Sequence, residues 1–175
     1  MIEIRPFTDH DFEDYYAIRR EALVSAPEAF LTKLQDFDQK PIELERQHYL
    51  SSTAISNPNR FIVGAWVDGT IKGMAGLSRF SQVGFDHMMV IWGVFSSPTS
   101  RGLGLGQRMM RFLFENAAHI EGVSTLVLSV MSNNFRVIRF YEQLGIARFN
   151  PAEKNPLLAK ATEDEIFMVY QLTKR

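Results

Sequence analysis

Arg101, Gly102, Gly104 and Gly106 stand together in the run Arg-Gly-Leu-Gly-Leu-Gly, with Leu103, Leu105 and Gln107 completing it. An apolar, strand-like stretch over 88–95 leads into this run, and a helix-patterned stretch follows at once. Strand, glycine turn and helix is an arrangement that presents backbone N–H groups to a phosphate. The helix dipole favours negative charge at its first turn. Arg101, at the mouth of the turn, carries a fork of donors that matches phosphate oxygens. Two common nucleotide motifs do not fit. The P-loop requires Gly-x-x-x-x-Gly-Lys-Ser/Thr, and no Lys-Ser or Lys-Thr pair follows these glycines. The dinucleotide fingerprint requires Gly-x-Gly-x-x-Gly, whereas the spacing here is Gly-x-Gly-x-Gly.

Arg101, Gly104 and Gly106 instead fit Gln/Arg-x-x-Gly-x-Gly/Ala, with Pro98 three residues before the arginine. This resembles the pyrophosphate-binding motif of the GNAT superfamily of N-acetyltransferases. A second stretch, Asn134 to Ile146, resembles that family's Asn-x-x-Ala-x-x-Leu/Phe-Tyr-x-x-x-Gly-Phe. Asn134, Phe140, Tyr141 and Gly145 match it, while Val137 replaces the usual Ala and Ile146 the usual Phe. The two motifs occur in the family's order, separated by room for one helix and one strand.

The resemblance implies acetyl-CoA as co-substrate and an amine acceptor attacked directly in a ternary complex. It places the pyrophosphate on residues 101–107 and the pantetheine arm along the backbone of Val94, Phe95 and Ser96. Ser96 stands where the family commonly has Val, which leaves a backbone contact undisturbed. Asn134 is implied as a hydrogen-bonding partner of the cofactor, although a helix N-cap is an equally natural use of it. Tyr141 is the expected general acid, since a phenol with an ordinary pKa near ~10 is protonated at neutral pH. In the family the first two helices and their connection cover the acceptor. Phe30, Trp66 and Trp92 therefore either line an acceptor pocket or pack in the core.

No general base is evident. Trp92 and Gly93 occupy the positions where many family members carry an acidic residue. Asp86 and His87 fall on the same expected strand but ~25 Å from Val94 at ~3.3 Å per residue. Glu28 reads as solvated, so a water-mediated base and an acceptor of low pKa are expected. His10, His48 and His119 do not pair at metal-ligand spacing, and no metal is assigned.

The elements that must position these residues follow from periodicity. Residues 2–7 alternate as a short strand, and Thr8 offers an N-cap for a helix to about residue 25. Residues 26–40 read as irregular, with a second helix starting at Pro41 and fading before Asn57-Pro58. Strands are expected over 60–67 and 71–80, joined by an Asp68-Gly69 turn. Gly73 and Gly76 inside the second of these suggest a bulge or a close backbone approach. Further strands are expected over 86–96 and 123–130, the latter parallel to its neighbour with the intervening helix as crossover. A helix over 134–144, stopped at Gly145, precedes a final strand pair over 146–149 and 165–172. The fold class is thus mixed α/β: a GNAT-like, mostly antiparallel sheet of six or seven strands with about four helices and a central βαβ unit. Residues 1–175 read as a single N-acetyltransferase domain.

Composition sets the outer bounds. The chain has 175 residues, 46% of them hydrophobic and 22% charged, with a formal net charge of −1. Nothing electrostatic argues for nucleic acid or an anionic membrane. The absence of cysteine excludes disulfides, thiolate metal sites and a cysteine nucleophile. No apolar run approaches the ~18 residues of a bilayer span, and residues 1–6 lack the character of a signal peptide, so the cytoplasm is the expected compartment. A homodimer is compatible with the resemblance. Two alternatives to an N-acetyltransferase stay open, a non-catalytic acyl-CoA-binding module and an acyltransferase using a longer acyl-CoA.

Overall fold

The computed structural model describes residues 1–53, 59–80, 84–149 and 164–173. Seven strands, β1 (Ile2–Pro6), β2 (Arg60–Val67), β3 (Thr70–Arg79), β4 (Met88–Ser96), β5 (Thr125–Met131), β6 (Ala147–Phe149) and β7 (Glu165–Gln171), form one sheet. Their order is β1-β2-β3-β4-β5-β7-β6, and only the β4–β5 pair is parallel. The mixed, mostly antiparallel sheet expected from the sequence is the one observed. The Asn57-Pro58 boundary and most of the polar stretch between Phe149 and Glu165 lie outside the described residues.

The helices are α1 (Phe12–Ser25), α2 (Leu34–Gln39), α3 (Ile42–Thr53), α4 (Leu105–Ala117) and α5 (Phe135–Gln143). Among the described residues that is five rather than about four. The addition, α2, lies in the stretch read as irregular, as does a 3-10 turn at Pro27–Ala29. Six residues are too few to display a 3.6-residue repeat, and only Phe37 of α2 is buried. Its ring packs 4.9 Å from Tyr16. The start of α1 also differs from expectation, because Asp11 and not Thr8 holds the N-cap position. The Thr8 hydroxyl donates to the Asp11 carboxylate at 2.7 Å, and so does the Thr8 amide at 2.8 Å. Arg5 adds two bonds at 2.7 and 2.8 Å. The Arg5 pair, and then the Thr8 donors, hold the Asp11 carboxyl well below the usual carboxylate range.

Strand alternation sends Val63 and Ala65 of β2 to one face of the sheet and Ile62 and Trp66 to the other. The first face packs on α4 through Leu105, Met109 and Leu113. The second packs on α1 and α3 through an aromatic group that includes Phe7, Phe12, Tyr15 and Tyr49. Helices thus cover both faces, and β4 runs through the middle.

Two irregularities in β4 open the sheet. Trp92 pairs with Gly76 and Phe95 with Met74, so Gly93 and Val94 stand together opposite Ala75 alone. This is a bulge in β4, with Gly93 at φ +63° in the left-handed region that a side chain disfavours. The glycines of β3 mark the opposite side of the same irregularity. A Cβ on Gly76 would fall 2.3 Å from the Trp92 ring. Second, β5 pairs with β4 only at Met88, Met89 and Val90. From Ile91 to Ser96 the edge of β4 that faces β5 has no strand partner among the described residues, and the two strands diverge there.

Candidate functional site

The gap between β4 and β5 holds two adjoining cavities. The first, of about 630 Å³, runs from the end of β4 to the glycine turn. Val94, Phe95 and Ser96 line it, followed by Arg101, Gly102, Gly104, Leu105, Gly106 and Gln107. Leu103 does not. It stands 41% exposed on the outer side of the turn, and its amide donates to the Ser100 carbonyl at 3.4 Å. A turn that reverses direction around two left-handed glycines must point one residue outward, and Leu103 is that residue.

The turn leaves donors without partners. Gly104 is the N-cap of α4 at φ 67°, ψ 22°, with no side-chain cap. The first helical bond runs from the Arg108 amide to the Gly104 carbonyl at 3.1 Å, so the amides of Leu105, Gly106 and Gln107 have no intrahelical acceptor. The approach to the turn is held firmly. The Ser97 hydroxyl donates to Glu21 of α1 at 2.6 Å, and the Ser100 hydroxyl donates to the Ser97 carbonyl at 2.8 Å. Both serines are buried, and Pro98 opens the 3-10 turn between them. This cavity therefore offers an anion three amides with no acceptor among the described residues, a helix N-terminus and the Arg101 guanidinium, which fits a pyrophosphate.

The second cavity, of about 450 Å³, lies on the other side of Val94. Arg19 of α1, Phe30, Trp92, Gly93, Leu128, Ser129, Val130 and Glu165 are among its walls. The two cavities share Glu28, Ala29, Phe30, Val94, Asn134, Val137 and Tyr141. Asn134 and Tyr141, two helical turns apart, present to the same space as expected from their spacing. Asn134 does cap α5, accepting from the Val137 amide at 3.3 Å, and its Nδ2 makes no hydrogen bond among the described residues. One side chain thus serves both as cap and as a cavity donor. Tyr141 is only 7% exposed and its hydroxyl has no hydrogen-bond partner among the described residues. Burial pushes its phenol above the ordinary value.

Phe30 and Trp92 line the second cavity, the Trp92 indole held by the Ser78 hydroxyl at 2.7 Å. Trp66 lines neither cavity. Its indole donates to Asp14 at 2.7 Å, Arg5 stacks 3.8 Å from its ring, and Phe7 lies 5.0 Å away, so it is a core residue. Sequence reading did not single out Arg19, Ser129 or Glu165. Each is an ordinary polar residue in its own element, and only the divergence of β4 from β5 brings them to one space. Glu28, read as solvated, is exposed but stands on the wall common to both cavities. Among the described residues no group of three or more His, Asp or Glu could hold a metal, and no helix is long and apolar enough to cross a membrane.

Comparison with known proteins agrees with this arrangement. The sequence profile of the Acetyltransferase (GNAT) family matches residues 8–146. Spermine/spermidine N(1)-acetyltransferase of Bacillus subtilis is 29% identical over 91 residues, covering 50% of this chain and 59% of that protein. The chain thus spans little more than half of that relative's length. N-alpha-acetyltransferase RimI of Mycobacterium tuberculosis is 28% identical over 120 residues, 63% of this chain and 72% of that protein. The fold matches yncA of Salmonella typhimurium, solved with its cofactor acetyl-CoA, at a TM-score of 0.76 and 19% identity, covering 99% of this chain and 95% of the other.

Proposed function

This chain belongs to the Acetyltransferase (GNAT) family, and we propose that it is an N-acetyltransferase moving the acetyl group of acetyl-CoA to a primary amine by direct attack in a ternary complex. In this reading residues 1–175 act as one acetyltransferase domain. The observation that carries it is the junction at Val94, where a cavity with unpaired helix amides meets a second cavity large enough for an acceptor. The two named relatives act on a polyamine and on an N-α-amine respectively, and a primary amine is what those acceptors share.

The amides of Leu105, Gly106 and Gln107, with Arg101, would hold the pyrophosphate, and the unpaired edge of β4 at Val94, Phe95 and Ser96 the pantetheine. Asn134 Nδ2 adds a donor on the α5 side. When bound, acetyl-CoA supplies an activated thioester beside the second cavity. Tyr141 keeps its phenolic proton at neutral pH and holds it where a departing thiolate can take it. Gly93 and Val94, the bulge residues, line the second cavity, where a backbone amide would polarise a carbonyl. Glu28, on the wall common to both cavities, is placed to draw a proton from the acceptor ammonium through a water.

The test is release of free CoA from acetyl-CoA with spermidine, an alanine-initiated peptide and a set of amino acids. At least one amine is expected to raise the rate by about tenfold or more over acetyl-CoA alone. Tight acetyl-CoA binding with no amine-dependent release would make the chain a non-catalytic acyl-CoA-binding module. Faster turnover of a longer acyl-CoA would overturn the acetyl assignment.

A further inference from the structure

We propose that the acceptor carries a carboxylate beside its amine, in the manner of a neutral amino acid, and that Arg19 is the residue that binds this carboxylate. The inference rests on the acetyltransferase reading above and narrows its acceptor. Four other arginines of the structure have carboxylate partners: Arg5 with Asp11, Arg20 with Asp38, Arg46 with Glu13 and Arg148 with Glu142. Arg19 lines the acceptor-side cavity and has no ion pair among the described residues. Its Nη1 is buried and lacks any hydrogen-bond partner. Arg19 as a whole is half-buried, but a guanidinium nitrogen buried without an acceptor is costly, and the Phe30 ring 5.0 Å away offsets only part of that cost. Its place is also informative. A Cβ built on Gly93 would lie 3.8 Å from Nη1, so the guanidinium sits beside the bulge, one residue before Val94.

The neighbours of Arg19 on α1 are committed elsewhere, Arg20 to Asp38 and Glu21 to Ser97. The carboxylates on the same cavity, Glu28 and Glu165, do not pair with Arg19. They remain available to an ammonium, the Glu165 side chain accepting among the described residues only a 3.4 Å bond from Ser129. One unpaired cation and two carboxylates match a ligand that carries both charges. A polyamine would leave the arginine unpaired and set like charge against it. The remaining walls, Phe30, Trp92, Leu128 and Val130, are apolar and suit an uncharged side chain.

The probes are L-leucine and L-phenylalanine, their C-terminal amides, and spermidine. Transfer is followed by CoA release, and binding to the CoA-saturated protein by calorimetry. The free acids are expected to exceed their amides in kcat/KM by about tenfold or more, the discrimination that a buried charge-assisted pair supplies. The α-ammonium of an amide has the lower pKa and is more fully deprotonated at neutral pH, which biases the comparison against this result. Arg19→Met should raise KM for the acids by roughly 30-fold while changing kcat and the amides' KM little, and Arg19→Lys should recover part of the loss. Acetyl-CoA affinity should stay within about twofold in both variants. Amides or spermidine used as well as the acids would overturn the proposal, as would an unchanged KM in Arg19→Met. If Arg19→Met does not fold, the acid-to-amide ratio of the native protein decides alone. Arg19-dependent binding of leucine without transfer would support the ligand class and sink the transferase reading. Transfer indifferent to the carboxylate would do the reverse, and neither binding nor transfer of any acid would end the proposal.

Discussion

At the scale of single residues, the proposed general acid Tyr141 offers the most direct test. Its ring is buried and its hydroxyl has no partner among the described residues, so Tyr141→Phe strands no hydrogen bond there and should cost at most ~1–2 kcal/mol of stability. If the phenol protonates the departing thiolate, kcat should fall roughly 10²-fold with acceptor KM and acetyl-CoA affinity nearly unchanged. The upward shift from burial also has a sign that can be checked. A phenol whose proton is held above its ordinary ~10 stays protonated through the assay range, so kcat should show no alkaline fall assignable to Tyr141 below that pH. A fully active Tyr141→Phe would reduce the residue to core packing. Tyr141 and Asn134 were legible in the sequence because a seven-residue separation on one helix survives folding unchanged. Trp66 was not, since an indole that reaches Asp14 looks the same in sequence as one facing a ligand. Arg19 gave no sign either, because what distinguishes it is the lack of a partner, which exists only in three dimensions.

Elements set these residues at the correct height, and the start of α4 makes the sharpest prediction. Gly104 adopts a left-handed conformation with nothing within 4 Å of a built Cβ. Aspartate is among the few residues that tolerate that conformation, and it is favoured as an N-cap. Gly104→Asp should therefore fold and melt within a few degrees of the native protein in the absence of ligand. Its carboxylate would occupy the open amides and repel a pyrophosphate, lowering CoA affinity by about tenfold or more in calorimetry. An unchanged affinity in the folded variant would remove the turn from the site. This turn was readable because glycine spacing encodes backbone conformation directly. The bulge in β4 was not, as a lone Gly93 in an apolar run does not reveal register. Its trace lay on the neighbouring strand, where Gly76 gives way to the Trp92 ring. Short α2 escaped because a single buried aromatic, Phe37, shows no period.

For the whole molecule, local pattern recovered the strands but not all of their neighbours. The final pair β6 and β7 was expected, whereas the insertion of β7 between β5 and β6 is a long-range choice that no segment encodes. The same long-range assembly makes two cavities into one passage, with Val94, Asn134 and Tyr141 on the walls of both. The proposed ternary complex needs both ligands held at once in these adjoining cavities, and a chain without cysteine has no thiol to carry the acetyl group between them. Among the cavity serines, the Ser100 hydroxyl is committed to the Ser97 carbonyl, and no histidine is among the described residues that line either cavity. Initial-rate plots against acetyl-CoA at several acceptor concentrations should therefore intersect, as for a sequential mechanism. Mass spectrometry after incubation with acetyl-CoA alone should find the enzyme unmodified. Parallel plots together with a stoichiometric acetyl adduct that transfers to the amine would replace direct attack with a covalent route.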